Sequence, residues 1–261
     1  MSRVSDTHGK VNQRLSYIVE NQEIENPEET ALIILGDAGF NYFLNEEDSK
    51  LKHSIESFKM WVYCVRGNHE ERPENLNYSL IYDENVDGLV YIDPIFYKIR
   101  YFVDGEVYNI NGYSVLTIGG AYSVDKWYRL ASANNGWTGW FKDEQLSINE
   151  MLTINHHTKG KNYDFVFSHT CPISWEPVDL FLGGIDQSTV NKSMEIWLDQ
   201  LKDNFDWNIW LFGHYHADRL ERPHVEQFFT DVEDLTTIWN RWNSNNEPEW
   251  WLTKSPNYYM E

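Results

Sequence analysis

Apolar positions alternate between two rhythms along the chain. Val11, Leu15, Ile18 and Val19 recur at helical spacing between Lys10 and Asn21, which predicts an amphipathic helix. After an acidic loop interrupted by Pro27, the run Ala31-Leu32-Ile33-Ile34-Leu35 is apolar without a break and stops at Gly36-Asp37. That is the pattern of a strand buried on both faces. Leu44, Leu51, Ile55 and Phe58 suit a second helix, and Met60 to Val65 forms the next buried strand, ending in Arg66-Gly67-Asn68-His69-Glu70. Such a β-α-β-α-β order implies right-handed crossovers and a largely parallel sheet.

Between Leu89 and Gly119 the rhythm changes. Short strands over Leu89–Ile92, Ile95–Val103, Glu106–Ile110 and Tyr113–Ile118 are separated by turn signals at Asp93-Pro94, Asp104-Gly105 and Asn111-Gly112, which predicts antiparallel hairpins. Asp143 to Leu152 reads as a helix, Tyr163–Ser168 as a strand, and Ser188 can cap a helix running to Leu201. Trp207–Phe212 is a further strand, ending at Gly213-His214. His53 falls on the second helix, His156-His157 in a polar loop, and His224 follows Pro223. With no repeat and no linker, the expectation is one α/β domain over residues 1–240. A Trp-, Asn- and Pro-rich tail follows over 241–261, packed on the domain or partly disordered.

Composition narrows the function. Lys and Arg number 21 against 41 Asp and Glu, a net charge of −20, and the 12 Trp, 16 Tyr and 13 Phe together match the acids in number. So many rings can bury a sizeable core, and so acidic a surface repels a phosphate backbone, which excludes a broad nucleic-acid-binding surface or an anionic membrane as partner. The opening Met1-Ser2-Arg3-Val4-Ser5-Asp6 carries no apolar signal-peptide core, and no stretch reaches the length of a membrane span. Cys64 and Cys171 stand far apart in apolar contexts, as two buried thiols would. A cytoplasmic protein is expected.

Five blocks of potential metal ligands sit where strands stop: Asp6-Thr7-His8, Gly36-Asp37, Gly67-Asn68-His69-Glu70, Ser168-His169 and Gly213-His214-Tyr215-His216. Ligands of open α/β sheets bind in the crevice beyond the strand C-termini. Residues i and i+2 of an extended segment point the same way, so Asp6 with His8, and His214 with His216, can each face one site. Mixed imidazole and carboxylate donors suit first-row divalent metals better than calcium, and the lack of a cysteine cluster argues against structural zinc. Two metals about 3.5–4 Å apart share a carboxylate, for which Asp37 is the natural choice.

These five blocks, spread from residue 6 to residue 216, resemble those of calcineurin-like metallophosphoesterases. The resemblance implies a double β-sandwich of two mixed sheets flanked by helices, in four layers. It also implies a centre of two divalent ions, manganese first among Fe, Ni, Zn, Co and Mg. Asp6, His8, Asp37 and His216 would hold one ion, and Asp37, Asn68, His169 and His214 the other. His69 would be the catalytic histidine facing the leaving group, with Glu70 behind it. The implied reaction is hydrolysis of a small phosphate mono- or diester by a metal-bridging hydroxide; the alternative is a catalytically silent metal-binding or regulatory protein on the same fold.

One departure stands out. Phosphoprotein phosphatases of the superfamily carry an Asp-Arg pair after the Gly-Asp block, whereas this chain continues Gly36-Asp37-Ala38-Gly39-Phe40-Asn41. Phosphoproteins are therefore disfavoured as substrates. The run Gly119 to Arg129 is similar to a segment of small bacterial and phage members, and its Lys126 and Arg129 are candidate phosphate contacts, or else cations paired with surface acids. Trp127, Trp137 and Trp140 are either core or a platform for a base or sugar.

Overall fold

A computed structural model describes residues 2–5, 10–21, 24, 26–133, 137–181 and 187–244. The chain first lays down β1 (Ser2–Ser5), β2 (Ala31–Ile34), β3 (Trp61–Cys64), β4 (Ser79–Asp83), β5 (Gly88–Ile92) and β6 (Ile99–Phe102). It then builds a second sheet from β7 (Val107–Ile110), β8 (Tyr113–Ile118), β9 (Asn162–Ser168), β10 (Asp206–Phe212), β11 (Arg219–Arg222) and β12 (Val225–Gln227). A two-residue strand, β13 (Glu233–Asp234), returns to the first sheet, whose order becomes β13-β1-β2-β3-β6-β5-β4; the second runs β11-β12-β10-β9-β8-β7. The central strands of both sheets are parallel, and the outer ones β13, β5, β4, β7 and β11 pair antiparallel.

Among the described residues six α-helices complete the fold: α1 (Val11–Asn21), α2 (Glu46–Glu56), α3 (Lys126–Ala131), α4 (Ile148–Thr158), α5 (Ser193–Leu201) and α6 (Leu235–Asn243). The continuous apolar strands explain the layering. Val4, Ile33, Tyr63 and Val65 meet Phe165, Phe167, Ile209 and Leu211 between the two sheets. Their sequence neighbours Leu32, Ile34, Val62 and Cys64 point the other way, onto α1 and α2. In the second sheet Leu116, Ile118, Val166, Trp210 and Phe212 pack beneath α4 and α5. The result is the four-layer double sandwich, helices outside and sheets inside. Both cysteines are free and buried, and burial pushes their thiols up. Among the described residues no helix is long and apolar enough to cross a membrane.

Several local expectations change. Val19 is exposed, on the water side of α1. Leu44 lies outside α2 with φ at 57°, because the Asp48 carboxylate accepts from the Phe43 and Leu44 amides at 3.0 and 2.7 Å and Asn45 caps the helix. A capping box between Ser147 and Glu150 starts α4 at Ile148 rather than Asp143, and the helix reaches Thr158, so His156 and His157 occupy its last turn instead of a loop. α5 begins at Ser193; Ser188 lies in a short 3₁₀ turn. β4 escaped the sequence reading because it is an edge strand whose Leu80 and Tyr82 face water. α6 crosses the expected boundary at residue 240, burying Trp242 in the core between the sheets. The remainder of the Trp-rich tail, 245–261, lies outside the described residues.

Candidate metal centre

Parallel strands held in register finish at one level, and their next residues meet there. β2 and β3 pair Ile34 with Cys64, and β9 and β10 pair Ser168 with Phe212. Asp37 and Asn68 therefore arrive from one sheet, His169, His214 and His216 from the other. Asp6 and His8 follow β1 but lie outside the described residues. Asp37, His214 and His216 have φ of 52°, 68° and 54°, a conformation that costs backbone energy and clusters at functional sites.

The closest packing is around His169, which is fully buried. Its Nδ1 lies 2.7 Å from the Leu35 carbonyl, which can only accept, so the ring proton belongs there. Gly36 (φ 104°) permits this approach: a Cβ on it would stand 2.0 Å from His169 Nδ1. The other ring nitrogen, Nε2, is 2.8 Å from Asn68 Oδ1 and 3.6 Å from Asp37 Oδ2. Asn68 is oriented by Ser123, whose Oγ accepts from Asn68 Nδ2 at 2.9 Å and donates to Glu144 at 2.5 Å. The amide oxygen thus has to face His169. Three atoms able to ligate a cation, an imidazole nitrogen, an amide oxygen and a carboxylate oxygen, thus meet in one buried place.

The neighbouring groups agree. The His214 ring sits 5.0 Å from that of His169 between centroids. Burial, then the His169 ring, pushes its imidazole well below the usual value, which keeps it neutral and able to ligate. Asp37 Oδ1 accepts from the His69 amide at 2.9 Å. Glu70 is buried and accepts from the Gly67 amide at 2.6 Å, closing the turn that presents Asn68 and His69. Burial raises its carboxyl to about 8.

The family model for calcineurin-like phosphoesterases matches residues 4–218 of the 261. The chain belongs to this family. A comparison with curated proteins finds no match. Members of the family generally bind two divalent metals, and the donor set of this calcineurin-like chain fits them: imidazoles, an amide oxygen and a carboxylate converging at the strand ends.

In this family member the centre opens into a crevice of two lobes that share Asp37, His69 and Arg129. The larger, about 600 Å³, is walled by Tyr122, Phe181, Thr189 and Lys192 and reaches Asn68, His214 and His216. The smaller, about 300 Å³, is walled by Tyr42, Phe43 and Leu51. Arg129 stands at their junction, donating to Asp125 at 2.7 Å, to Tyr42 Oη at 2.7 Å and to the Gly139 carbonyl at 3.0 Å. The Lys126 ammonium rests on the Trp140 ring at 4.2 Å, with Tyr122 and Trp127 beside it. Phe40, where phosphoprotein phosphatases carry a charged residue, is buried in the outer core. His53 is exposed, and His224 stacks on Trp242. Ser123, Glu144, Tyr42 and Phe43 belong to the site's surroundings without having been singled out from sequence, because each reaches it through contacts remote along the chain.

Proposed function

We propose that this chain hydrolyses a small phosphate ester with two divalent ions held at the strand ends. The observation that supports it most is the meeting of His169 Nε2, Asn68 Oδ1 and Asp37 Oδ2 at the base of a ligand-sized crevice. Asp37, Asn68, His169 and His214 would hold one ion, and Asp6, His8, Asp37 and His216 the other, with manganese expected ahead of Fe, Ni, Zn, Co and Mg. When bound, the ions supply an activated water and offset the charge that gathers on the phosphoryl oxygens.

The chain's own residues do the rest. Asp37 is fixed by the His69 amide, so its second oxygen keeps one direction. His69 lines both lobes, from where its imidazole hands a proton to the departing alkoxide. Arg129, paired with Asp125 and held by Tyr42 and Gly139, presents its guanidinium donors at the lobe junction where a phosphate would lie.

The test is the variant His69→Asn, assayed on aryl and alkyl phosphate mono- and diesters. Metal content should stay at the wild-type level while turnover falls by roughly 10²–10⁴-fold. The loss should be largest for poor leaving groups. An equal loss across all leaving groups would contradict the proton-donor role, and no hydrolysis of any ester by the wild type would contradict the function.

A further inference from the structure

Two rings, Tyr42 and Phe43, wall the small lobe beside Asp37 and His69, and Trp137 packs against both rings. Phe43 is 44 % exposed and Trp137 40 %, although each is a large apolar ring that burial would favour. They stack on each other with centroids 5.6 Å apart and planes 19° from parallel. Tyr42 meets both edge-on, at 4.7 and 5.2 Å. The arrangement is held in place. Tyr42 Oη accepts from Arg129, and Gly139, at φ 65°, lets Trp137, Tyr42 and Arg129 crowd together: a Cβ there would lie 2.9 Å from the first two. Of the other two candidate tryptophans, Trp140 carries the Lys126 ammonium on its ring, and Trp127 lies beside the same cation.

We propose that the small lobe is a stacking subsite for a planar aromatic group, a nucleobase in the first instance, carried by the phosphate ester; the subsite rests on the phosphoesterase function proposed above. Phe43 offers the ring face within the lobe, Trp137 extends the stack, and Leu51 closes the apolar wall. A base lying there places its sugar phosphate toward Asp37, His69 and Arg129, which line the same lobe. The acid excess of the molecule disfavours long polyanions, so a single nucleotide unit fits better than a strand. Stacking accepts any base face, and base identity should matter little.

The experiment compares adenosine 5′-phosphate with ribose 5-phosphate, and the methyl diester of each. Within each pair the leaving groups are primary alkoxides of nearly equal basicity, so intrinsic reactivity nearly cancels and the ratio of kcat/KM reports the base. In the wild type the adenosine esters should lead by roughly ten- to a hundredfold. Phe43→Leu, which keeps bulk and loses the ring, should collapse that ratio toward one, while Phe43→Tyr should restore most of it. A wild-type ratio near one, or a ratio that Phe43→Leu leaves intact, overturns the subsite while leaving the phosphoesterase reading standing. If neither ester is hydrolysed, the aryl phosphates of the preceding test decide the phosphoesterase reading, and saturation-transfer NMR on adenosine decides the subsite by itself. Transfer to the base protons that disappears in Phe43→Leu supports it, and absent transfer in the wild type overturns it.

Discussion

Asn68 can serve a cation only with its amide oxygen turned toward His169, and Ser123 is what turns it. The hydroxyl accepts from Asn68 Nδ2 and passes its own proton to the buried Glu144, so each member of the chain has one role. Ser123→Ala should therefore weaken metal binding by roughly 10–100-fold, measured by competition with a chelator, while the thermal midpoint of the metal-free protein moves only slightly. Wild-type affinity in that variant would sink the assignment. Glu195 makes a separate prediction. It is buried on α5, Thr170 Oγ1 donates to one oxygen at 2.8 Å, and Oε2 meets no hydrogen-bond partner among the described residues. Burial raises its carboxyl from 4.5 to about 7. A raised value means that the folded state keeps a proton the unfolded chain releases. The stability contributed is then complete below about pH 4.5 and is lost as pH rises through 7. Glu195→Gln keeps its neutral form throughout, so on metal-free protein its stability relative to wild type should improve between pH 5 and 8 by up to about 3 kcal/mol. A flat difference, read from urea titrations at each pH, would contradict this.

At the scale of elements, the strand ends were legible because unbroken apolar runs announce buried parallel strands, and the ligand blocks follow them directly. Asp37, Asn68, His169, His214 and His216 needed only that rule to be brought to one edge of the sandwich. What was not legible came from side chains acting at a distance along the chain. Asp48 reaches back to hold Phe43 and Leu44, which turns Leu44 out of the helix its spacing suggested and leaves Phe43 facing a lobe. Ser123 meets Asn68 across 55 positions, a contact no local pattern encodes. α6 carries helical spacing in Leu235, Ile238 and Trp242, but three positions beside a Trp- and Asn-rich stretch without a clear period are too few to announce it, and the helix is not among the elements expected from sequence. That helix has structural consequences: Arg241 pairs with Glu226 and Glu233, and the Trp242 indole donates to Glu226. Trp242→Ala should cost about 3–5 kcal/mol in urea unfolding. The exposed Trp127 changed the same way should cost within about 0.5 kcal/mol. Similar losses at both positions would mean that α6 is not part of the core.

For the whole molecule, the two sheets give the candidate centre its two halves. Asp37 and Asn68 come from one, His169, His214 and His216 from the other, and the Leu35 carbonyl to His169 contact ties them across the sandwich. The net charge of −20 then takes on a narrower meaning. On the proposed reading it would turn long polyanions away at a distance, while divalent ions at the strand ends would reverse the sign inside the crevice and admit a small phosphate. Manganese titrated into metal-stripped protein, with hydrolysis of an aryl phosphate as the readout, tests this most directly. The account predicts no turnover in the stripped protein and a rate that reaches its plateau at two equivalents per chain. Turnover that survives stripping, or a plateau at one equivalent, would contradict it.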